Sequence, residues 1–257
     1  MKMTRKLIPA IAMLLISAVM MSTASFAWFS MNTSVSASGM QIQAKSASKY
    51  LQIVAGEDAF DNTAAQTTAT AKKASNILRP TALVDAITGE GTGFTPYSGG
   101  TDLVWIEAFS DAPNTSDKGA QKKYIDVSTA ATATEGTSNV YTLYNIFKVR
   151  MNPTTGVDTA TNLSITNVKV TSNGTTGAEN LLPAVRVAII GPDGGAIYDH
   201  TGTLIENRGS ATIASTVTTT ASTIKVFVFF DGEDAAATTN NVVDAAAYSV
   251  EFTLGIQ

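Results

Sequence analysis

A chain of 257 residues, 44% of them hydrophobic, is long enough to bury one large core or two small ones. Only 15% are charged, against roughly 25% in an average globular protein, and the formal net charge of −4 excludes the basic surface that binding nucleic acid requires. With no cysteine there is neither a disulfide framework nor an anchor for a lipoprotein lipid, so core packing and sheet hydrogen bonds must hold the fold.

In chain order, Lys2, Arg5 and Lys6 precede an apolar run over 7–21, short of the about 20 residues that a permanent membrane span needs. Small residues follow at Ser25 and Ala27, where a signal peptidase requires them. A signal peptide over 1–27, cut between Ala27 and Trp28, is the expectation; an uncleaved anchor is the other reading, and either exports the body. Removal takes the 17 basic residues to 14 against 21 acidic ones, a mature net charge of about −7. The exported surface is then kept soluble mainly by hydroxyls and amides.

From Thr33 to Ala44 apolar and polar residues alternate on either side of Gly39, the pattern of a half-buried strand with a bend or bulge. A second strand over 50–54 closes on the turn Gly56-Glu57-Asp58. Residues 62–75 are Ala, Thr, Gln and Lys without periodicity, which suggests a surface loop, or a short helix over 69–74. Ile77, Leu78, Leu83, Val84 and Ile87 around Pro80 read as helix or packed loop, and 88–101 is a glycine-rich excursion. Together they predict a loop-rich insertion over about 62–101.

Strands dominate from there. Residues 102–109 read as a buried strand, 123–127 as a short alternating one, 128–138 as a polar loop and 140–151 as the longest aromatic strand. The segment 163–170 alternates with one slip at Thr166-Asn167, predicting a bulge. Residues 184–190 and 196–198, joined through Gly191-Pro192-Asp193-Gly194-Gly195, form the clearest hairpin. Residues 223–230 are apolar on both faces, as a central strand should be, and 247–254 alternate again. About ten strands with hardly any helix predict an all-β fold, a two-sheet antiparallel β-sandwich forming one domain over 28–257. A parallel sheet would need helices between its strands, and these are missing.

Three stretches carry a resemblance. Ala27-Trp28-Phe29-Ser30, Ala37-Ser38-Gly39-Met40-Gln41-Ile42 and the run from Val226 through Asp231-Gly232-Glu233-Asp234 are similar to the TasA and camelysin family of exported bacterial proteins. In that family a signal ending in Ala-Trp/Tyr-Phe-Ser precedes an Ala-Ser-Gly-Thr-Leu-type strand, and a strand leading into Glu-Gly-Glu-Asp lies near the end. The resemblance sits at the two ends and fades between about 55 and 183. It implies a jelly-roll-like sandwich, release by a dedicated signal peptidase, and self-assembly into biofilm-matrix or cell-surface fibres. In such fibres one subunit's N-terminal strand completes its neighbour's sheet, and other matrix or cell-wall components are further partners. Met31-Asn32 departs from the pattern, where relatives commonly continue with acidic residues, which bears on the processing peptidase more than on the fold.

Strand donation also makes physical sense. A freed alternating strand satisfies its backbone groups on an exposed sheet edge while Val35, Ala37, Met40 and Ile42 fill pockets. The same strand can fold back on its own subunit, and alternation is common to both outcomes. No sorting motif ends the chain, so a covalent C-terminal anchor is not expected.

Two other classes of function have candidates. Camelysin-like relatives described as metallopeptidases imply a metal site, yet His200 is the only histidine and no His-Glu-x-x-His helix exists. A hydrogen-bonded turn histidine is the simpler reading, and no nucleophile and base pair is evident, so no catalytic residue is assigned. Asp231, Glu233 and Asp234 cluster at a strand end where calcium could be held, although an acidic turn solvating an apolar strand explains them as well. Gly56-Glu57-Asp58 has the same ambiguity. No cofactor is otherwise expected. Trp105 and Tyr144 are candidate sugar-stacking platforms of a carbohydrate-binding module, or core.

Overall fold

A computed structural model of the chain describes residues 35–46, 50–62, 66–71, 74–89, 93–107, 124–132, 141–172, 181–232, 234, 236–237 and 248–256. The strands run in order through β1 (Val35–Ser46), β2 (Leu51–Ala55), β3 (Thr68–Thr70), β4 (Ala74–Leu78), β5 (Thr81–Thr88), β6 (Gly93–Pro96), β7 (Val104–Glu107) and β8 (Ile125–Asp126). One turn of helix, α1 (Ser128–Ala131), leads to β9 (Leu143–Met151), β10 (Thr159–Ser172), β11 (Val185–Ile190) and β12 (Gly195–Asp199). Then come β13 (Leu204–Gly209), β14 (Thr212–Thr218), β15 (Ser222–Phe230) and β16 (Tyr248–Gly255).

They build three sheets. Sheet I has the order β14-β10-β16-β1-β3, with β4 pairing the first half of β1; sheet II is β13-β12-β11-β15-β9-β2; sheet III is β6-β5-β7-β8. The described strand pairs are antiparallel except β1 with β16, which run parallel. The fold is all-β and sandwich-like.

The layering follows from which faces are apolar. One face of sheet II, with Phe147, Val149, Val187, Val226 and Phe230, packs on Ile42, Val168, Val250, Phe252 and Leu254 of sheet I. Phe147 meets Phe252 edge-on at 5.3 Å. The other face of sheet II carries Tyr144, Ala188, Ile197, Phe227 and Phe229 against Leu83, Tyr97 and Trp105 on the side of sheet III. Sheet II is therefore covered on both sides. That is why β11 buries all six residues and β15 buries Val226 through Phe230 without a polar interruption.

Local signals placed several elements well. The β10–β16 register shifts between Ile165 and Asn167, leaving Thr166 and Asn167 both exposed, which is the bulge expected there. The hairpin pairs Ile190 with Gly195, and β15 lies between β11 and β9 inside sheet II. β1 shifts register against β4 between Ala37 and Met40, where Gly39 predicts a bend.

The loop reading of 62–101 is corrected. β3, β4, β5 and β6 all lie in it, and neither the helix over 69–74 nor the one around Pro80 forms. β3 and β4 take their order from backbone pairing to β1, so their Ala, Thr and Ser residues show no apolar face of their own. Ala82, Leu83 and Val84 are consecutive buried residues of β5, a strand covered on both faces. The polar loop over 128–138 begins with α1, and β13 and β14 are strands that sequence reading missed.

Phe227 holds sheets II and III together: its ring stacks on Tyr144 at 4.6 Å, with Trp105 tilted against it at 5.2 Å. Truncating it in Phe227→Ala removes a fully buried ring from between two layers. The expected loss of stability is about 3–5 kcal/mol, measured by urea unfolding.

Candidate functional site

Alternation gives sheet I a polar outer face opposite its core face. On β1, Ile42 and Ala44 are fully buried, and Gln41, Gln43 and Lys45 point the other way. On β16 the outward residues are Ser249 and Glu251, and on β10 Lys169 and Thr171. Register sets Gln41 beside Ser249, Gln43 beside Glu251, and Lys169 and Thr171 across from Glu251 and Ser249. The Lys45 ammonium lies 2.6 Å from the Glu251 carboxylate, both partly exposed, an ion pair worth at most about 1 kcal/mol. Gln41, Gln43, Lys169, Thr171, Ser249 and Glu251 line an open depression, with Lys45 paired to Glu251 at its side. It offers amides, hydroxyls and one ion pair, groups suited to hydrogen bonding with another polar surface. No serine or threonine in its lining faces a histidine.

The strand-exchange candidates lie along this seam. Val35 pairs with Leu78, Ala37 with Asn76 and Met40 with Ala74 on β4, while Ile42 sits opposite Val250 with its side chain in the core. β1 is thus an interior strand of its own chain's sheet, held by β16 on one side and by β3 and β4 on the other. The cleavage residues Ala27 and Trp28 lie outside the described residues.

The acidic cluster has an answer within the fold. Arg186, 8% exposed, places one guanidinium nitrogen 2.6 Å from the Asp234 carboxylate and another 3.3 Å from that of Asp231. It also donates to the carbonyls of Pro183 and Val185. The backbone of the turn ties in too: Asp231 donates to the Ala184 carbonyl at 2.8 Å and Gly232 to that of Thr81 at 3.3 Å. Two of the three calcium candidates therefore already have a cation beside them, and Glu233 lies outside the described residues. Arg186 was the missed member, and its signal is a charge inside the otherwise apolar run 184–190, which burial obliges to find a partner. Glu57 stands 94% exposed at the side chain, 3.9 Å from Lys148.

Asp199 organises the turn that carries His200. Its carboxylate accepts from the Thr201 amide at 2.8 Å, the Thr201 hydroxyl at 2.6 Å and the Thr203 amide at 2.9 Å. The His200 carbonyl accepts from the Val170 amide at 3.3 Å, and its Nδ1 is buried without a hydrogen-bond partner. The described residues contain no group of three His, Asp or Glu arranged to hold a metal. Trp105 and Tyr144 are buried between sheets II and III, at 0% and 8% exposure, so neither ring is an exposed stacking platform.

Comparison with known proteins finds no matching family model, no matching curated protein and no matching solved structure.

Two outcomes follow from the ion pairs and the turn. Arg186→Met leaves Asp231 and Asp234 without their cation beneath partial cover. A loss of about 2–4 kcal/mol in urea unfolding is expected, and no loss would remove the pair from the stabilising contacts. For Asp199, burial opposes ionisation, but the bonds from Thr201 and Thr203 and the neighbouring His200 outweigh it and hold its carboxyl below the usual range. Its stabilising effect is full above the unfolded value of about 3.9 and is lost as pH falls through the lower folded value. A carboxyl-carbon NMR titration should find a midpoint below that of an unfolded aspartate.

Proposed function

We propose that the mature chain is an exported structural subunit that assembles with copies of itself into a matrix or cell-surface fibre, lending β1 to a neighbour's sheet. The seating of β1 carries this reading. Its hydrogen-bonding partners are β16, β3 and β4, so no contact along it requires that strand and sheet belong to the same chain. Residues 47–50 alone link it to β2, which belongs to the other layer of the sandwich. Withdrawing β1 opens a slot with an unpaired edge on β16 and vacant space where Ile42 and Ala44 were buried. An identical strand from a second copy refills that slot in the same register, which makes exchange a low-cost route to assembly.

The motifs at the two ends of the chain, similar to those of the TasA and camelysin family, support the same reading. Export, release by a signal peptidase, a jelly-roll-like topology and a place in a biofilm matrix belong to the proposal with them. Such a role asks for no catalytic residue and no cofactor. The polar face of sheet I would meet water or other matrix components.

The test uses the absence of native cysteine. Gln43 and Glu251 are registered neighbours on adjacent strands, whose spacing of about 4.8 Å lies within the reach of a disulfide. In the Gln43→Cys/Glu251→Cys chain, oxidation links β1 to whichever chain's β16 it occupies. A ladder of linked chains on a non-reducing gel, with filaments in electron micrographs at rising concentration, is expected. Only intrachain disulfides on dispersed monomers would reject the proposal.

A further inference from the structure

The outer edge of sheet I is β14, Thr-Ile-Ala-Ser-Thr-Val-Thr, with no charge and no proline to discourage another strand from pairing with it. Beside β10 on one side, β14 turns the Ile213 carbonyl and the Ser215 amide to its other side, away from the sheet. The turn between β11 and β12 occupies this edge. The Asp193 amide donates to the Ile213 carbonyl at 3.1 Å, and its carboxylate accepts from both the Ser215 amide and the Ser215 hydroxyl at 2.6 Å.

The pattern is that of a strand residue. In a parallel ladder one residue donates its amide to the carbonyl before its partner and accepts at its own carbonyl from the amide after it. Asp193 does the same across Ala214, with a side-chain carboxylate in place of the backbone carbonyl. Gly191 lets the turn come this close. A Cβ there would fall 2.4 Å from the Ile213 carbonyl oxygen and 2.8 Å from the Ile213 Cβ.

We infer that Asp193 is a strand stop, a one-residue mimic of a paired strand that keeps β14 from pairing with the β14 of a second copy. Two uncharged, identical edges are self-complementary, and their contact would be a two-fold, sheet-extending one. A stop of this kind serves a lone subunit as well as a polymer, so it goes beyond the fibre reading.

The test compares the full chain with Asp193→Ala. Hydrogen exchange of the Ser215 amide should rise about tenfold or more, with Ala214 and Thr216, which face β10, still protected. Sedimentation velocity should reveal a concentration-dependent dimer beyond wild-type association. Adding Ser215→Pro deletes the freed donor and should abolish that dimer, since proline is tolerated on an edge strand. Gly191→Ala, which lifts the turn with Asp193 intact, should give the dimer by a second route. Unchanged Ser215 exchange, wild-type association in both Asp193→Ala and Gly191→Ala, or a dimer that survives Ser215→Pro would each overturn the inference. The disulfide ladder of the Gln43→Cys/Glu251→Cys chain should not change on adding Asp193→Ala, which separates this outcome from that of β1 exchange.

Discussion

A sheet covered on both faces loses water from every side chain along its middle strands, and the rest of this molecule is arranged around that loss in sheet II. β11 and the second half of β15, Val226 to Phe230, meet it with Val, Ile, Ala and Phe at consecutive positions, so neither stretch has a solvent face, while Thr223 and Lys225 near the start of β15 stay exposed. Arg186 is the exception, and a buried guanidinium needs partners. The turn after β15 supplies them in Asp231 and Asp234, and the same turn bonds through Gly232 to Thr81, at the start of β5. Satisfying one buried charge therefore also docks sheet III. With no cysteine in the chain, contacts of this kind and the aromatic cluster at Phe227 hold the layers together without any disulfide staple.

Closing the flanks is the second constraint, because an open sandwich exposes strand edges. On one flank the Ser46 amide donates to the Thr67 carbonyl and the Ile53 amide to that of Gln66, both at 2.8 Å, so residues 66–67 stitch sheet I to sheet II. On the opposite flank Asp193, from a sheet II turn, caps β14 of sheet I. Each flank of sheet I is thus tied to sheet II by hydrogen bonds. β1, an interior strand of this sheet, is joined through residues 47–50 to β2 in the other layer, just as interior β10 is followed by β11 there.

How far the sequence reveals this depends on where each element gets its order. The bulge at Thr166-Asn167, the Gly191–Gly195 hairpin and the double-faced run into Phe230 are written locally, in period and turn chemistry, and can be read directly. β3, β4 and β14 are ordered by neighbours distant in sequence, and β13 by an irregular pairing with β12 that shifts register, so none of them carries a clean period of its own. Leu83 and Val84 are consecutive buried residues because β5 is buried on both sides at its start, and with Ile77 of β4 and Ile87 they only imitate helical spacing. The partners of Arg186 lie more than forty residues downstream, and sequence alone can say only that such a charge must find some. Asp193 looks like an ordinary turn residue until the edge it covers is in view.

The geometry of the two contacts decides what assembly would look like. Contacts made by β1 are the same whether it lies at home or in a neighbour, so the balance between the two rests on the linker at 47–50 and on concentration rather than on new binding energy. In the proposed exchange each subunit would give one strand and offer one slot. Exchange without reciprocity is a head-to-tail contact, and such contacts propagate into open filaments. A β14–β14 contact is two-fold and would bridge subunits sideways. If β1 exchanges as proposed, covering β14 would favour growth along one axis, and the Asp193 cap would keep such filaments from merging through their sheet edges.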